Sequence, residues 1–306
     1  MKKLFIATLA IAALASCNND QVINFDKYPI NFGDAFVDNA TKAVYEGDKK
    51  VDAFQVWGTV TGNGNTVLIF DGANVTRTKS GSADKNYGDA WYCDVTRYWT
   101  PNCTYNFTAI VDATSVTPTN GAMPTAINYT ADGVSDLLYG VTVTDAIKTS
   151  ADCTVTGLNA NNCVAFTMNH LLSKMYFEVV SGLESPYTIK VTNIVVSNLQ
   201  QKGIYTIGAA TPWAKDGVDT TSFDFIDGAK VIIPVAQTLD VAITYDVLFD
   251  GTTISPGVTK TGTIPATNYA ENTVYKVSAT IGLTEIQFSI SEVAGFDNGG
   301  EVDVTL

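Results

Sequence analysis

The sequence predicts an all-β protein that contains two β-sandwich domains in tandem. Short runs of β-branched and aromatic residues alternate with turns rich in Gly, Asn, Asp and Pro, and no long segment has a helical period. Hydrophobic residues make up 46% of the 306 residues and charged residues only 16%, so the chain has enough apolar material for a large core. Two sandwiches fit this length better than one.

The first residues have the layout of a bacterial secretory signal. Lys2 and Lys3 precede an apolar run, Leu4–Ala13, which is shorter than the roughly 20 residues that span a membrane. Leu14-Ala15-Ser16-Cys17 resembles a lipobox, in which the cysteine is acylated. We therefore expect a signal peptide at residues 1–16 and a lipid on Cys17, with a soluble secreted protein as the alternative.

Residues 17–50 are expected to hold the lipidated N-terminal segment, a first strand and a linker. The stretch Val22–Val37 is strand-like, and Lys42, Lys49 and Lys50 follow it in a polar segment. Exposed polar linkers of this kind are where proteases cut folded proteins.

Residues 51–150 are expected to form the N-terminal domain. The predicted strands are Ala53–Thr61, Thr66–Phe70, Ala90–Tyr98 and Tyr105–Asp112, with turns at 62–65 and 71–72 and one helical turn at 133–139.

Residues 151–306 are expected to form the C-terminal domain, with the boundary between Ala146 and Cys163. Met175–Val179 and Ile286–Ile290 alternate with period two, as in half-buried strands. The predicted strands are Cys163–Val180, Tyr187–Asn198, Gly203–Ile207, Lys230–Val235, Asp240–Phe249, Thr273–Ile281 and Glu285–Ser291.

Four cysteines remain after Cys17, and an even number in an exported chain favours disulfides over metal ligation. Three pairings are possible. A hairpin turning at Leu158 would place Cys153 opposite Cys163, and this is the favoured bridge. A bridge between Cys93 and Cys103 requires an irregular loop and is less well supported.

Charge and composition exclude several functions. The net charge of −13 and the pI of about 4.4 exclude binding to the phosphate backbone of nucleic acids. His170 is the single histidine, so a histidine-based catalytic site or a multi-histidine metal site has little support, and a hydrogen-bonded structural histidine is favoured. We expect no enzymatic activity, no metal and no cofactor; an exported hydrolase with paired carboxylates is the enzymatic alternative.

Aromatic residues are concentrated between positions 87 and 107. Such a cluster either packs in a sandwich core or stacks on sugar rings, and the core interpretation is favoured because aromatic residues are common in strands. The members are Tyr87, Trp91, Tyr92, Tyr98, Trp99, Tyr105 and Phe107.

Several short segments occur in an order that resembles one known family. In the first half they are Phe54–Gly58, Val67–Asp71, Arg97–Trp99, Tyr105–Ala109 and Asp136–Tyr139; in the second half they are His170–Phe177, Val231–Pro234 and Ile286–Ile290. These segments resemble the fimbrillin (type V pilin) lipoproteins of gut and oral anaerobes, and the resemblance covers nearly the whole chain after Cys17.

The resemblance implies two transthyretin-like β-sandwich domains and an outer-membrane lipoprotein at the cell surface. It implies a structural or tip subunit of fimbriae that assembles with other fimbrial subunits by strand exchange, after proteolysis at a basic residue removes the first strand. Lys42, Lys49 and Lys50 are then the candidate cleavage sites. In the segment Glu301–Leu306, alternation places Val302, Val304 and Leu306 on one face, as a candidate donor strand.

The alternative is a surface lipoprotein that does not polymerise and binds a glycan, or another host or bacterial surface ligand, through the aromatic cluster.

Overall fold

The computed structural model describes residues 28–37, 51–79, 87–148, 153–159 and 162–293. Within these ranges every regular element is a β-strand, which confirms the predicted all-β class. None of the described residues belongs to a helix long and apolar enough to cross a membrane. The predicted helical turn at 133–139 is wrong, because this segment is irregular chain that leads into a strand.

Twenty strands follow one another along the described chain. The first ten are β1 (Phe32–Val37), β2 (Ala53–Gly62), β3 (Asn65–Lys79), β4 (Tyr87–Cys93), β5 (Cys103–Val111), β6 (Ser115–Thr117), β7 (Ala126–Thr130), β8 (Leu138–Lys148), β9 (Cys153–Thr156) and β10 (Val164–His170). The other ten are β11 (Ser173–Ser181), β12 (Tyr187–Gln200), β13 (Lys202–Thr206), β14 (Trp213–Lys215), β15 (Thr220–Asp224), β16 (Lys230–Ile232), β17 (Gln237–Phe249), β18 (Thr252–Thr267), β19 (Thr273–Ile281) and β20 (Ile286–Val293).

Eight strands of the first half of the chain form one sheet. Its order is β1-β10-β8-β5-β2-β3-β4, with β9 paired to β8 beside this path. Strand β5 is central, and its side chains are buried on both faces over Phe107–Val111. The last strand of this sheet along the chain, β10, ends at His170, and β11 of another sheet begins at Ser173. The change of sheet thus follows the range from Ala146 to Cys163 in which the boundary is expected.

The β2–β3 hairpin shows how local sequence shapes this sheet. Asn63 and Gly64 both have positive φ, 51° and 76°, as a two-residue hairpin loop requires, so the predicted turn there is confirmed. The turn predicted at Asp71–Gly72 is wrong. Gly72, with φ 71°, lies at a bulge beside Trp57, and β3 continues through it to Lys79.

The second half forms a sandwich of two four-stranded sheets, ordered β16-β11-β19-β20 and β15-β12-β17-β18. Buried residues of both sheets make up one core cluster. Alternation in β17 buries Leu239, Val241, Ile243 and Tyr245 on the face that packs against the other sheet. Strand β18 was not predicted from the sequence. It is a polar edge strand, and Ile264 is its one buried residue.

A fourth sheet, ordered β14-β13-β7-β6, joins the two halves. Strands β6 and β7 come from the first half, and β13 and β14 from the second. A third core cluster lies beneath it and includes Ile127, Leu172 and Ile233, all fully buried. The halves are thus connected by a shared sheet and a shared core.

Candidate interaction site at the first strand

Strand β1 lies at one end of the eight-stranded sheet, and its connections differ from those of the other strands. It pairs with β10 in parallel, with Phe32 opposite Val164, Ala35 opposite Phe166 and Val37 opposite Met168. Its chain neighbour β2 is four places away in the same sheet. Strand β1 is therefore held by pairing with distant segments rather than by a hairpin.

Backbone hydrogen bonds hold the segment 28–35 on both sides. On one side Val164 N–H donates to Asn31 O at 2.8 Å. On the other side Ile30 N–H donates to Arg97 O at 2.8 Å, and Trp99 N–H donates to Tyr28 O at 2.9 Å. The segment thus lies between β10 and the chain that follows β4.

The side chains of this segment complete the core of the first half. Ile30 and Phe32 are each 3% exposed, and Ala35 is 0% exposed, whereas Asn31 points outward. The ring of Phe32 lies among four others, with centroid distances of 6.4, 5.1, 5.6 and 6.3 Å to Phe54, Phe70, Phe107 and Phe166. Removal of this strand would expose an apolar groove with unpaired backbone groups.

Gly33 fits a narrow part of this groove. A β-carbon added there would lie 3.3 Å from both Trp91 Cδ1 and Cys163 Cβ, which is tighter than ordinary contact. The register shifts between Phe32 and Ala35, so three residues of β1 span two residues of β10. Small residues at positions 33 and 35 therefore follow from the shape of the groove.

His170 occupies the junction between the halves rather than an open site. Its Nδ1–H donates to Asp136 Oδ2 at 2.5 Å, and both side chains are 1% exposed. Nearby, burial lowers the pKa of Lys174, while the charge of Asp136 opposes this shift. Burial, together with Asp132 and Asp136, raises the pKa values of Tyr129 and Asp112. The structure shows His170 as the hydrogen-bonded structural residue that the sequence indicated.

Most of the described side chains in the predicted aromatic cluster belong to the core. Trp99, Tyr105 and Phe107 are buried, and Trp91 packs against the same core. Tyr92 and Tyr98 are exposed. The side chain of Tyr87 lies outside the described residues.

The strand order separates two of the predicted disulfide partners. Cys93 and Cys103 are free thiols in β4 and β5, with β3 and β2 between them. Adjacent strands are about 4.8 Å apart, so the path along the sheet is roughly 14 Å, whereas a disulfide needs Cα atoms within about 7 Å. The structure does not contain this bridge, and burial raises the pKa of both thiols.

The hairpin expected around Leu158 is also not formed. Strands β9 and β10 both pair with β8, with Thr156 opposite Asp145 and Asn169 opposite Tyr139. They therefore lie along the same edge of β8 instead of facing each other. The side chain of Cys153 lies outside the described residues, and its bridge to Cys163 stays a prediction.

The remaining predicted site residues lie outside the described ranges. They are the lipidation residue Cys17, the candidate cleavage residues Lys42, Lys49 and Lys50, and the candidate donor residues Val302, Val304 and Leu306. Sequence reasoning missed the small residues Gly33 and Ala35, although their position beside Phe32 in a predicted strand was a readable signal. It also missed the partner of His170, because Asp136 is 34 residues away and no local pattern links the two.

Comparisons with known proteins agree with the resemblance seen in the sequence. A fimbrial protein from Bacteroides vulgatus ATCC 8482 has a similar structure, with a TM-score of 0.56 and 16% identity over 79% of this chain and 92% of that one. A candidate cell adhesion protein from Bacteroides uniformis ATCC 8492 has a TM-score of 0.50 and 14% identity over 87% and 97%. No curated protein has significant sequence similarity to the chain. The profile of the family described as Fimbrillin-like matches residues 41–293, so this chain belongs to the fimbrillin-like family.

Proposed function

We propose that this protein is a structural or tip subunit of surface fimbriae, assembled from a lipoprotein precursor by proteolysis and donor-strand exchange, and that it supports adhesion. The observation that carries the proposal is the placement of β1. Ile30 and the β1 residues Phe32 and Ala35 fill the core. The connection from β1 to the next strand of its sheet contains Lys42, Lys49 and Lys50.

Cleavage in that connection would turn β1 into a separate peptide held only by non-covalent contacts. Its loss would leave the backbone edge of β10 and the chain at 97–99 without partners, beside an open aromatic core. A strand from another subunit would restore both the hydrogen bonds and the apolar contacts. Such a polymer needs no catalytic residue.

Family membership and the two structural neighbours support a cell-surface location for this chain, since one neighbour is a fimbrial protein and the other a candidate adhesion protein. Acylation of Cys17 would hold the precursor at the outer membrane. The partners in this proposal are other fimbrial subunits, the lipid bilayer and a host or bacterial surface ligand.

The non-polymerising glycan-binding alternative has less support. Three members of the aromatic cluster are buried in the core, and only Tyr92 and Tyr98 among its described members are exposed large hydrophobic residues. The hydrolase alternative has less support as well, because membership of the fimbrillin-like family suggests a structural role.

Limited trypsin treatment of the full chain, followed by mass measurement and electrophoresis without boiling, tests the proposal. A cut in 38–50 should be followed by ladders of higher oligomers. The triple variant Lys42→Gln, Lys49→Gln, Lys50→Gln should give neither. A matched control, Lys215→Gln, changes an exposed lysine in β14 and should behave like the wild type. A clean cut without oligomers, even with fimbrial subunits of the same cells added, would refute strand exchange.

Metabolic labelling with a clickable fatty acid tests the anchor. The wild type should be labelled, whereas Cys17→Ser should remain unlabelled and uncleaved. Equal labelling of the two would contradict acylation at Cys17.

A further inference from the structure

We infer that the groove under β1 accepts a donor strand with a large aromatic residue, then a glycine, then a small residue two positions further on, and that this donor comes from a different polypeptide. The inference rests on the proposed strand exchange and specifies the partner. It follows from the shape of four neighbouring positions, namely Ile30, Phe32, Gly33 and Ala35.

The position of Phe32 demands a large flat side chain. The four surrounding phenylalanine rings are edge-on or stacked against it, all within 6.4 Å between centroids. Interiors of proteins are packed as densely as organic crystals, so a smaller side chain would leave a cavity that the neighbouring rings cannot fill.

Positions 33 and 35 require small residues. A β-carbon at position 33 would already press on Trp91 and Cys163, and Ala35 is 0% exposed in the core, so neither site has room for added atoms. Extra atoms in a packed core force neighbouring side chains away from their preferred rotamers. The bulge between Phe32 and Ala35 also breaks the period of two that a regular donor strand would follow.

The chain's own tail does not match these positions in its best register. If Val302, Val304 and Leu306 were placed at positions 30, 32 and 35, a valine would replace the central Phe32 and a leucine would replace Ala35. The groove would then be underfilled at one site and overfilled at the next.

A second register aligns the aromatic residue of the tail, Phe296, with Phe32. Asp297 then takes the place of Gly33, where a β-carbon alone would lie 3.3 Å from both Trp91 Cδ1 and Cys163 Cβ. The further atoms of the aspartate side chain would force these neighbours to move. Neither register reproduces the pattern of Phe32, Gly33 and Ala35, and the donor that we infer is therefore a strand of a different polypeptide.

Peptide binding to the trypsin-treated full chain tests the inference. The probes are three labelled peptides: residues 28–37, the same peptide with Gly33→Asp, and the tail 293–306. A fourth peptide, residues 28–37 with Asn31→Thr, is the control, because Asn31 points outward. We expect the first and the fourth to bind equally, and the other two to bind roughly 100-fold more weakly.

The outcomes separate the two proposals. Equal affinity of the tail and the 28–37 peptide would overturn the inference while leaving strand exchange intact. Failure of every peptide to bind would refute exchange itself, and the inference with it. Thermal unfolding of the uncut chain gives an independent measurement: Phe32→Val with Ala35→Leu should lower the Tm clearly, whereas Asn31→Thr should not. An unchanged Tm in the double variant would show that the groove tolerates the tail pattern.

Discussion

The imidazole of His170 is stable in the interior because a carboxylate receives its hydrogen bond. Asp136 is equally buried, so each side chain satisfies a polar group that would otherwise be costly to bury. Loss of one partner leaves the other uncompensated, whereas an exposed pair such as Lys202–Asp219, 44% and 58% exposed, is already solvated.

We therefore predict that His170→Gln lowers the free energy of unfolding by about 3 kcal/mol. The control Asp219→Asn should cost less than about 1 kcal/mol. Denaturant titration measures both, and the double variant His170→Gln, Asp136→Asn should recover part of the loss. Equal effects of the two single variants would contradict a structural role for the buried pair.

Glu271 links stability to pH at the same junction. Burial raises the pKa of its carboxyl above the ordinary value, and its Oε2 is buried with no hydrogen-bond partner among the described residues. A raised pKa in the folded state means that the protonated form is favoured there. The stability that Glu271 contributes is therefore fully present below the unfolded pKa and is lost as the pH rises through the folded pKa.

Glu271→Gln should thus raise the Tm at pH 7 relative to the wild type. The difference should shrink towards zero below the ordinary glutamate pKa of about 4.3, because the wild-type side chain is then neutral as well. The exposed Glu184 provides the control, since Glu184→Gln should leave the Tm unchanged at both pH values. A benefit that persists undiminished at low pH would rule out the charge of Glu271 as its cause.

Among the secondary-structure elements, the residues just before β2 restrict where a protease can cut the connection between β1 and β2. Val51 is 0% exposed, and its N–H donates to Ala35 O at 3.1 Å. The residue directly after the cleaved bond must enter the protease active site in an extended conformation. Cleavage after Lys50 would require Val51 to leave the core first.

We predict that trypsin cuts the folded chain after Lys42 or Lys49 and not after Lys50. Amino-terminal sequencing should find new termini at Ala43 or Lys50. Lys50→Gln, the matched variant, should be cut at the wild-type rate, whereas Lys42→Gln with Lys49→Gln should resist. A dominant terminus at Val51 would show that the start of β2 opens readily.

At the scale of the whole molecule, the junction couples the two halves. Strand β13 pairs with β7 from the first half and β14 from the second, over a core that draws residues from both. Gly203 in β13 has no room for a side chain, since an added β-carbon would lie 2.9 Å from both Ile233 Cγ2 and Trp213 Cζ3. We therefore expect the two halves to unfold together.

We expect a single calorimetric transition for the wild type, coincident with the loss of tryptophan fluorescence. Gly203→Ala should cost about 1–3 kcal/mol through overpacking and should broaden or split the transition. Gly282→Ala is the control, because an added β-carbon there would meet only Glu285 O, at 3.4 Å. Two separate transitions in the wild type would show that the junction does not couple the halves.

Local residue patterns were enough to predict the all-β class, most of the long strands and the family. Local signals include the alternation in β17 and β20 and the turn at Asn63-Gly64. Such signals do not depend on contacts with distant parts of the chain. Prediction from local patterns was wrong at Asp71–Gly72, where the glycine lies at a bulge in a continuous strand. It also missed β18, whose polar sequence adopts an extended conformation because it pairs with β17.

The pairing of the strands, in contrast, is set by contacts between distant segments. The parallel pairing of β1 with β10, the place of β9 and β10 in the first sheet, and the sheet shared by the two halves all depend on contacts between residues far apart in the chain. The same holds for the Asp136–His170 pair and for the narrow site of Gly33, which exists only where Trp91 and Cys163 converge. Several strand pairings are equally compatible with the local residue patterns, and the packing of distant segments selects one of them. Local patterns therefore do not predict which strands pair.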